Sequence, residues 1–138
     1  MSEEIRWNVI QHSSSPILFY GLDVLHLKAE QVHKLSVIYN NAVRRCFNLA
    51  SNRTVRDVLH FTGCLPVKML LDKRRILLVR ECLNCPGILG LCARISSNEL
   101  DFVNSLIDYG VHYEMATDAL NLAFCEKFYD DLCRDGYL

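Results

Sequence analysis

The residues best equipped for chemistry in this chain are cations. Lys68, Lys73, Arg74 and Arg75 sit close together, Arg80 follows, and Arg44, Arg45, Arg53 and Arg56 precede them. A surface dense in Lys and Arg binds phosphates chiefly by releasing counterions, so the number of cations matters more than any single one. Arginine suits the task because its planar fork grips two phosphate oxygens at once. From Lys28 to Arg80 there are eleven Lys/Arg against three acids, a balance of +8. From Glu81 to Leu138 there are three against ten, a balance of −7, and the first 27 residues contribute −2. The whole-chain charge of −1 therefore hides a basic half that invites a polyanion and an acidic half that does not.

Other chemistry-bearing groups resolve into blander readings. Cys82-Leu83-Asn84-Cys85, with Cys92 beyond, has no second ligand pair at finger spacing, and a tetrahedral zinc site needs four ligands. A thioredoxin-type pair opens a helix after a strand, whereas this one precedes Pro86 at an expected helix end. The seven cysteines read as buried thiols, mostly reduced, and no metal or cofactor is expected. Phe128-Tyr129-Asp130-Asp131 matches the aromatic-x-Asp-Asp signature of polymerases, where the acids hold divalent ions on a hairpin turn. Here it falls in a helical pattern without a third carboxylate, so it reads as an acidic helix face. His12, His26, His33, His60 and His112 show no paired spacing, and neither a nucleophile elbow nor a glycine-rich phosphate loop is present. No catalytic residue is assigned.

The elements that must position these cations are helices. Half the residues are hydrophobic, and three prolines and six glycines leave long uninterrupted stretches. Residues 1–15 end in a Ser-rich run and read as a loose lead-in, with a helix start at Pro16. Ile17 to Leu27 is apolar and fits either a buried strand or a buried helix. From Lys28 to Ala50, the positions Ala29, Val32, Leu35, Ile38 or Tyr39, Ala42, Cys46 and Leu49 recur at helical spacing. Thr54 can cap a short helix to Phe61 that stops at Gly63, and Pro66 opens another to about Asn84, broken by Pro86-Gly87. Beyond it a short piece, Ile88 to Ile95, is followed by a helix from Ser97 to Gly110 and a last one from Met115 to Arg134, stopped by Gly136. No apolar run reaches the roughly 18 residues of a membrane span. The acidic Met1-Ser2-Glu3-Glu4 start has the wrong charge for a targeting peptide, so an intracellular protein is expected, nucleus and cytoplasm being indistinguishable.

Residues 16–80 also carry a family resemblance. Pro16-Ile-Leu-Phe-Tyr-Gly-Leu-Asp-Val-Leu25 resembles the "ILxYGxEVW" stretch that follows the palm in reverse transcriptases of non-LTR (LINE-type) retrotransposons. Arg44-Arg45-Cys46-Phe47-Asn48-Leu49 looks like that family's "RxIxxL". Thr62-Gly63-Cys64-Leu65-Pro66 with Asp72-Lys73-Arg74-Arg75 resembles its "tGxLPxxxxixxRR" run. Leu25 stands where the family has tryptophan, and Asp23 where it has glutamate. The resemblance implies a helical thumb, which holds a template–primer duplex by its backbone, without the fingers and palm that carry catalysis.

The expectation is therefore an all-α, thumb-like bundle: a lead-in over 1–15, a basic helical module over 16–84, and an acidic helical segment over 85–138 packed on it. Arg44, Arg45, Arg53, Arg56, Lys68, Lys73, Arg74 and Arg75 would contact phosphates of an RNA–DNA hybrid or RNA without reading base edges. Such a fragment is not an enzyme on its own. The alternative is a helical protein-interaction module that binds a protein partner or self-associates through apolar surface, with no nucleic acid and no membrane involved.

Overall fold

The computed structural model describes residues 2–22, 25, 27–51, 54–84, 87, 107–112 and 115–136. Among these the chain forms six α-helices and one π-helical segment and no strand, the all-α class expected. The expected piece over 88–95, most of the helix from Ser97, and Cys85 and Cys92 lie outside the described residues.

The N-terminus is helical, which corrects the loose lead-in. Helix α1 (Glu3–Val9) is capped by Ser2, whose Oγ accepts the Ile5 N–H at 3.3 Å, with Glu3 and Glu4 favourably placed in the first turn. Trp7 is buried against Phe47, ring centroids 5.5 Å apart, so an apolar anchor holds this segment down. A π-helical stretch (Ile10–Ser14) then leads into α2 (Ser15–Leu18), with Pro16 in its first turn. The Ser15 N–H reaches back five residues to the Ile10 carbonyl. This widening precedes Pro16, which has no N–H to give to the preceding turn.

The described residues within 17–27 form neither of the expected continuous elements. Helix α2 ends at Leu18, and Gly21 at φ +73° turns the chain away. Phe19 is buried, while Ile17 and Tyr20 are 78% and 88% exposed.

Helix α3 (Ala29–Cys46) begins where the Gln31 side chain accepts the Lys28 N–H at 2.9 Å. Its buried stripe is Tyr39, Val43 and Cys46, so Tyr39 rather than Ile38 faces inward. The helix stops four residues before Ala50. Asn48 takes φ +52° and the Leu49 N–H closes on the Arg44 carbonyl at 2.9 Å, an Asn-terminated left-handed cap.

Helix α4 (Arg56–Phe61) ends as its sequence predicts. Gly63 sits at φ +72°, its N–H bonding the His60 carbonyl at 3.0 Å, and the Cys64 N–H bonds that of Leu59 at 2.8 Å, a Schellman pair. Helix α5 (Val67–Asn84) is flanked by α3 and by α6 (Thr117–Arg134). Contact on two sides explains why its apolar residues spread around the helix instead of forming one stripe; Val67, Met69 and Ile76 are buried, with Leu70, Leu71 and Leu77 partly so. Helix α6 shows the opposite pattern. Leu120, Phe124, Phe128 and Leu132, four residues apart, are essentially inaccessible and pack on α4 and α5. The Phe-Tyr-Asp-Asp tetrapeptide lies within this helix, with Phe128 in the core and Asp131 bonded to Arg134 at 2.9 Å.

Candidate nucleic-acid interface

The structure disperses the expected cations into different environments. Arg44 and Arg45 occupy the last turn of α3, where the polypeptide leaves through Asn48. With Asn41, Asn48, Leu49 and Ser51 they line an open recess of about 600 Å³. Arg44 donates to the Asn41 side-chain oxygen at 2.9 Å, which orients its guanidinium, and Arg45 is exposed. No acidic residue lines this recess among the described residues. A helix C-terminus carries roughly half a negative charge, and two full guanidinium charges exceed it.

Arg56 and Lys68 share a second cleft, about 510 Å³, where α4, α5 and α6 meet. Lys127, Arg134, Asp108, Asp131 and Tyr109 also line it. Here the cations already have carboxylates. Arg56 bonds Asp135 at 2.8 Å, Lys68 lies 3.9 Å from Asp72, and Lys127 lies 3.4 Å from Asp131. Tyr109 donates to Asp72 at 2.6 Å and stacks on Phe124 at 4.3 Å between centroids. Burial, and next the adjacent Asp72 carboxylate, push its phenol far above the ordinary tyrosine value.

The remaining expected contacts hold the fold together. Arg74 donates to the Phe19 carbonyl at 3.0 Å and lies over the Phe19 ring at 5.6 Å. Arg75 donates to the Leu25 carbonyl at 3.3 Å. Both tie α5 to the segment after α2. Arg80, only 16% exposed, does the same for α6, donating to the Met115 carbonyl and the Thr117 hydroxyl, each at 2.9 Å. Lys73 is half-buried beside Cys64 and Cys125, and burial pushes its ammonium below the ordinary lysine value. Arg53 lies outside the described residues.

The seven described cations thus do not form one stripe. Arg44 meets Arg45, Arg56 meets Lys68, and Lys73, Arg74 and Arg75 turn toward their own protein. The sequence reading missed Asn41, Asn48 and Ser51 in the recess, and Lys127 and Arg134 in the cleft. The spacing of Lys127, Asp131 and Arg134 along α6 was a usable signal for the latter pair, since residues three and four apart share a helix face. Comparison with protein-family models, with curated proteins and with solved structures finds no match to this chain.

Proposed function

We propose that this chain is a non-catalytic, thumb-like helical module that holds a nucleic acid by its phosphate backbone. The observation that carries the reading is the open recess at the end of α3, which Arg44 and Arg45 line together with the amides of Asn41 and Asn48 and the hydroxyl of Ser51. Guanidinium and amide donors on one open surface suit phosphate oxygens, and nothing in that set selects a base. The basic balance of Lys28 to Arg80 supplies the longer-range attraction. The resemblance of residues 16–80 to the thumb of LINE-type reverse transcriptases points the same way, with an RNA–DNA hybrid as the natural first probe. The test is an anisotropy titration of such a hybrid at two salt concentrations. Binding that weakens steeply with salt and ignores base sequence is expected, with a slope of about −0.9 in log affinity per phosphate neutralised. Absence of binding at low salt overturns the reading.

A second reading, a protein-interaction module, is favoured by a different surface. Ile10, Ile17, Leu18, Ile38, Tyr39 and Ala42 line an apolar groove of about 390 Å³ between α3 and the π-helical and α2 segments. Ile17 and Ile38 stand mostly exposed on it, the kind of patch that a protein surface covers. Ile38→Glu should abolish a protein association while leaving nucleic-acid binding intact. The opposite pattern excludes this reading.

A further inference from the structure

The pocket around Lys73 has a composition that phosphate binding does not use. It is about 310 Å³, lies where the π-helical segment, α3, α5 and α6 converge, and is lined by Cys64, Cys125, Lys73, Gln11, Tyr39 and Asn121, among others. Cys64 precedes α5 and is half-buried; Cys125 lies on α6 and is exposed. Gln11 fixes the inner thiol, its Nε2 donating to Cys64 Sγ at 3.5 Å and to the Tyr39 hydroxyl at 3.3 Å. The Cys64 thiol donates in turn to the Thr62 carbonyl at 3.6 Å. Lys73 interacts electrostatically with both thiols, and no carboxylate lines the pocket to neutralise it among the described residues. The pocket therefore brings one ammonium beside two thiols 61 positions apart in sequence.

We propose that this pocket is a thiol-oxidation site that takes a small-molecule disulfide, such as oxidised glutathione, and ends as a Cys64–Cys125 disulfide. Cys125, the exposed thiol, attacks as its thiolate on one sulfur of the incoming disulfide. An S–S bond forms on Cys125 and one glutathione thiolate leaves. Cys64, deprotonated, then attacks the Cys125 sulfur and displaces the second glutathione. Two protein thiols are oxidised, one glutathione disulfide is reduced to two thiols, and the two thiol protons go to the departing glutathiones. Lys73 acts in the second step. Burial pushes the Cys64 thiol above its ordinary value, and the Lys73 ammonium opposes that shift, keeping more of the resolving sulfur as thiolate. The product clamps α6 to the entrance of α5, a link between residues distant in sequence.

The test incubates the full chain with oxidised glutathione and maps cysteines by mass spectrometry without reduction. The expected product is a cross-linked pair of peptides containing Cys64 and Cys125. Cys64→Ser should stop the reaction at a Cys125–glutathione adduct. Lys73→Met should slow conversion of adduct to cross-link, because a smaller thiolate fraction is only partly offset by greater nucleophilicity. Circular dichroism of both variants establishes that they fold. Stable adducts with no Cys64–Cys125 cross-link in the wild-type chain overturn the proposal, as does preferential pairing of either thiol with another cysteine.

Discussion

Arginines at the end of α3 and arginines along α5 look alike in sequence and do different work. Arg44 and Arg45 line an open recess together with Asn41, Asn48 and Ser51. Arg74, Arg75 and Arg80 give their forks to the carbonyls of Phe19, Leu25 and Met115. The difference lies in what surrounds each helix. The last turn of α3 precedes a left-handed Asn48 and faces outward. Helix α5 is contacted on two sides, and its arginines reach the backbone of the neighbouring segments. A cation that already satisfies a carbonyl must surrender that bond to hold a phosphate, so charge density in sequence overstates the charge on offer.

The largest effect should come from Arg80→Ala. It leaves the Met115 carbonyl without its donor and should cost about 2–3 kcal/mol, read as a lowered denaturant midpoint. Loss near zero would mean that Arg80 is an ornament of the surface and that the contrast with α3 is false. Arg74→Ala should follow at about 2 kcal/mol, combining a charged hydrogen bond with the contact on Phe19.

The inner face of α3 supplies a pH test of the same contrast. Burial pushes the Tyr39 phenol up to about 12 from its ordinary 10.0, with Gln11 pulling slightly the other way. A raised folded-state value contributes stability that is complete below pH 10.0 and is lost between there and about 12. The loss should be about 2–3 kcal/mol, two units at roughly 1.4 kcal/mol each setting its upper limit. Tyr39→Phe should make the fall in stability across that window shallower, Tyr109 still contributing its own share, whereas Arg45→Ala should leave the shape unchanged. Smaller still is Arg56→Ala, whose ion pair with Asp135 is about one-third exposed at each partner and should contribute under about 1 kcal/mol.

The sequence made the helix stops at Gly63 and Gly136 legible because glycine alone enters the left-handed region without cost. The stop at Asn48 was hidden, since asparagine takes that conformation only where local bonds allow it. The lead-in was misread because Ser13-Ser14-Ser15 suggested a loop. The stronger signals were Ser2 as a cap and Trp7 as an anchor. The all-α class followed from sparse Gly and Pro and from helical spacing. The site was legible only as a count of cations. Their acceptors are largely backbone carbonyls, which every residue carries, so no residue type marks which arginine is already engaged.

The central claim is that the grip lies at the end of α3 and not along α5. The most direct test is the affinity for an RNA–DNA hybrid of Arg44→Ala/Arg45→Ala beside Arg74→Ala/Arg75→Ala, each measured at two salt concentrations with both proteins folded. The α3 pair should lower affinity and flatten the salt slope by about 1–2, while the α5 pair should lose stability but keep both affinity and slope. The reverse pattern, with affinity and slope lost in the α5 pair and retained in the α3 pair, would contradict it.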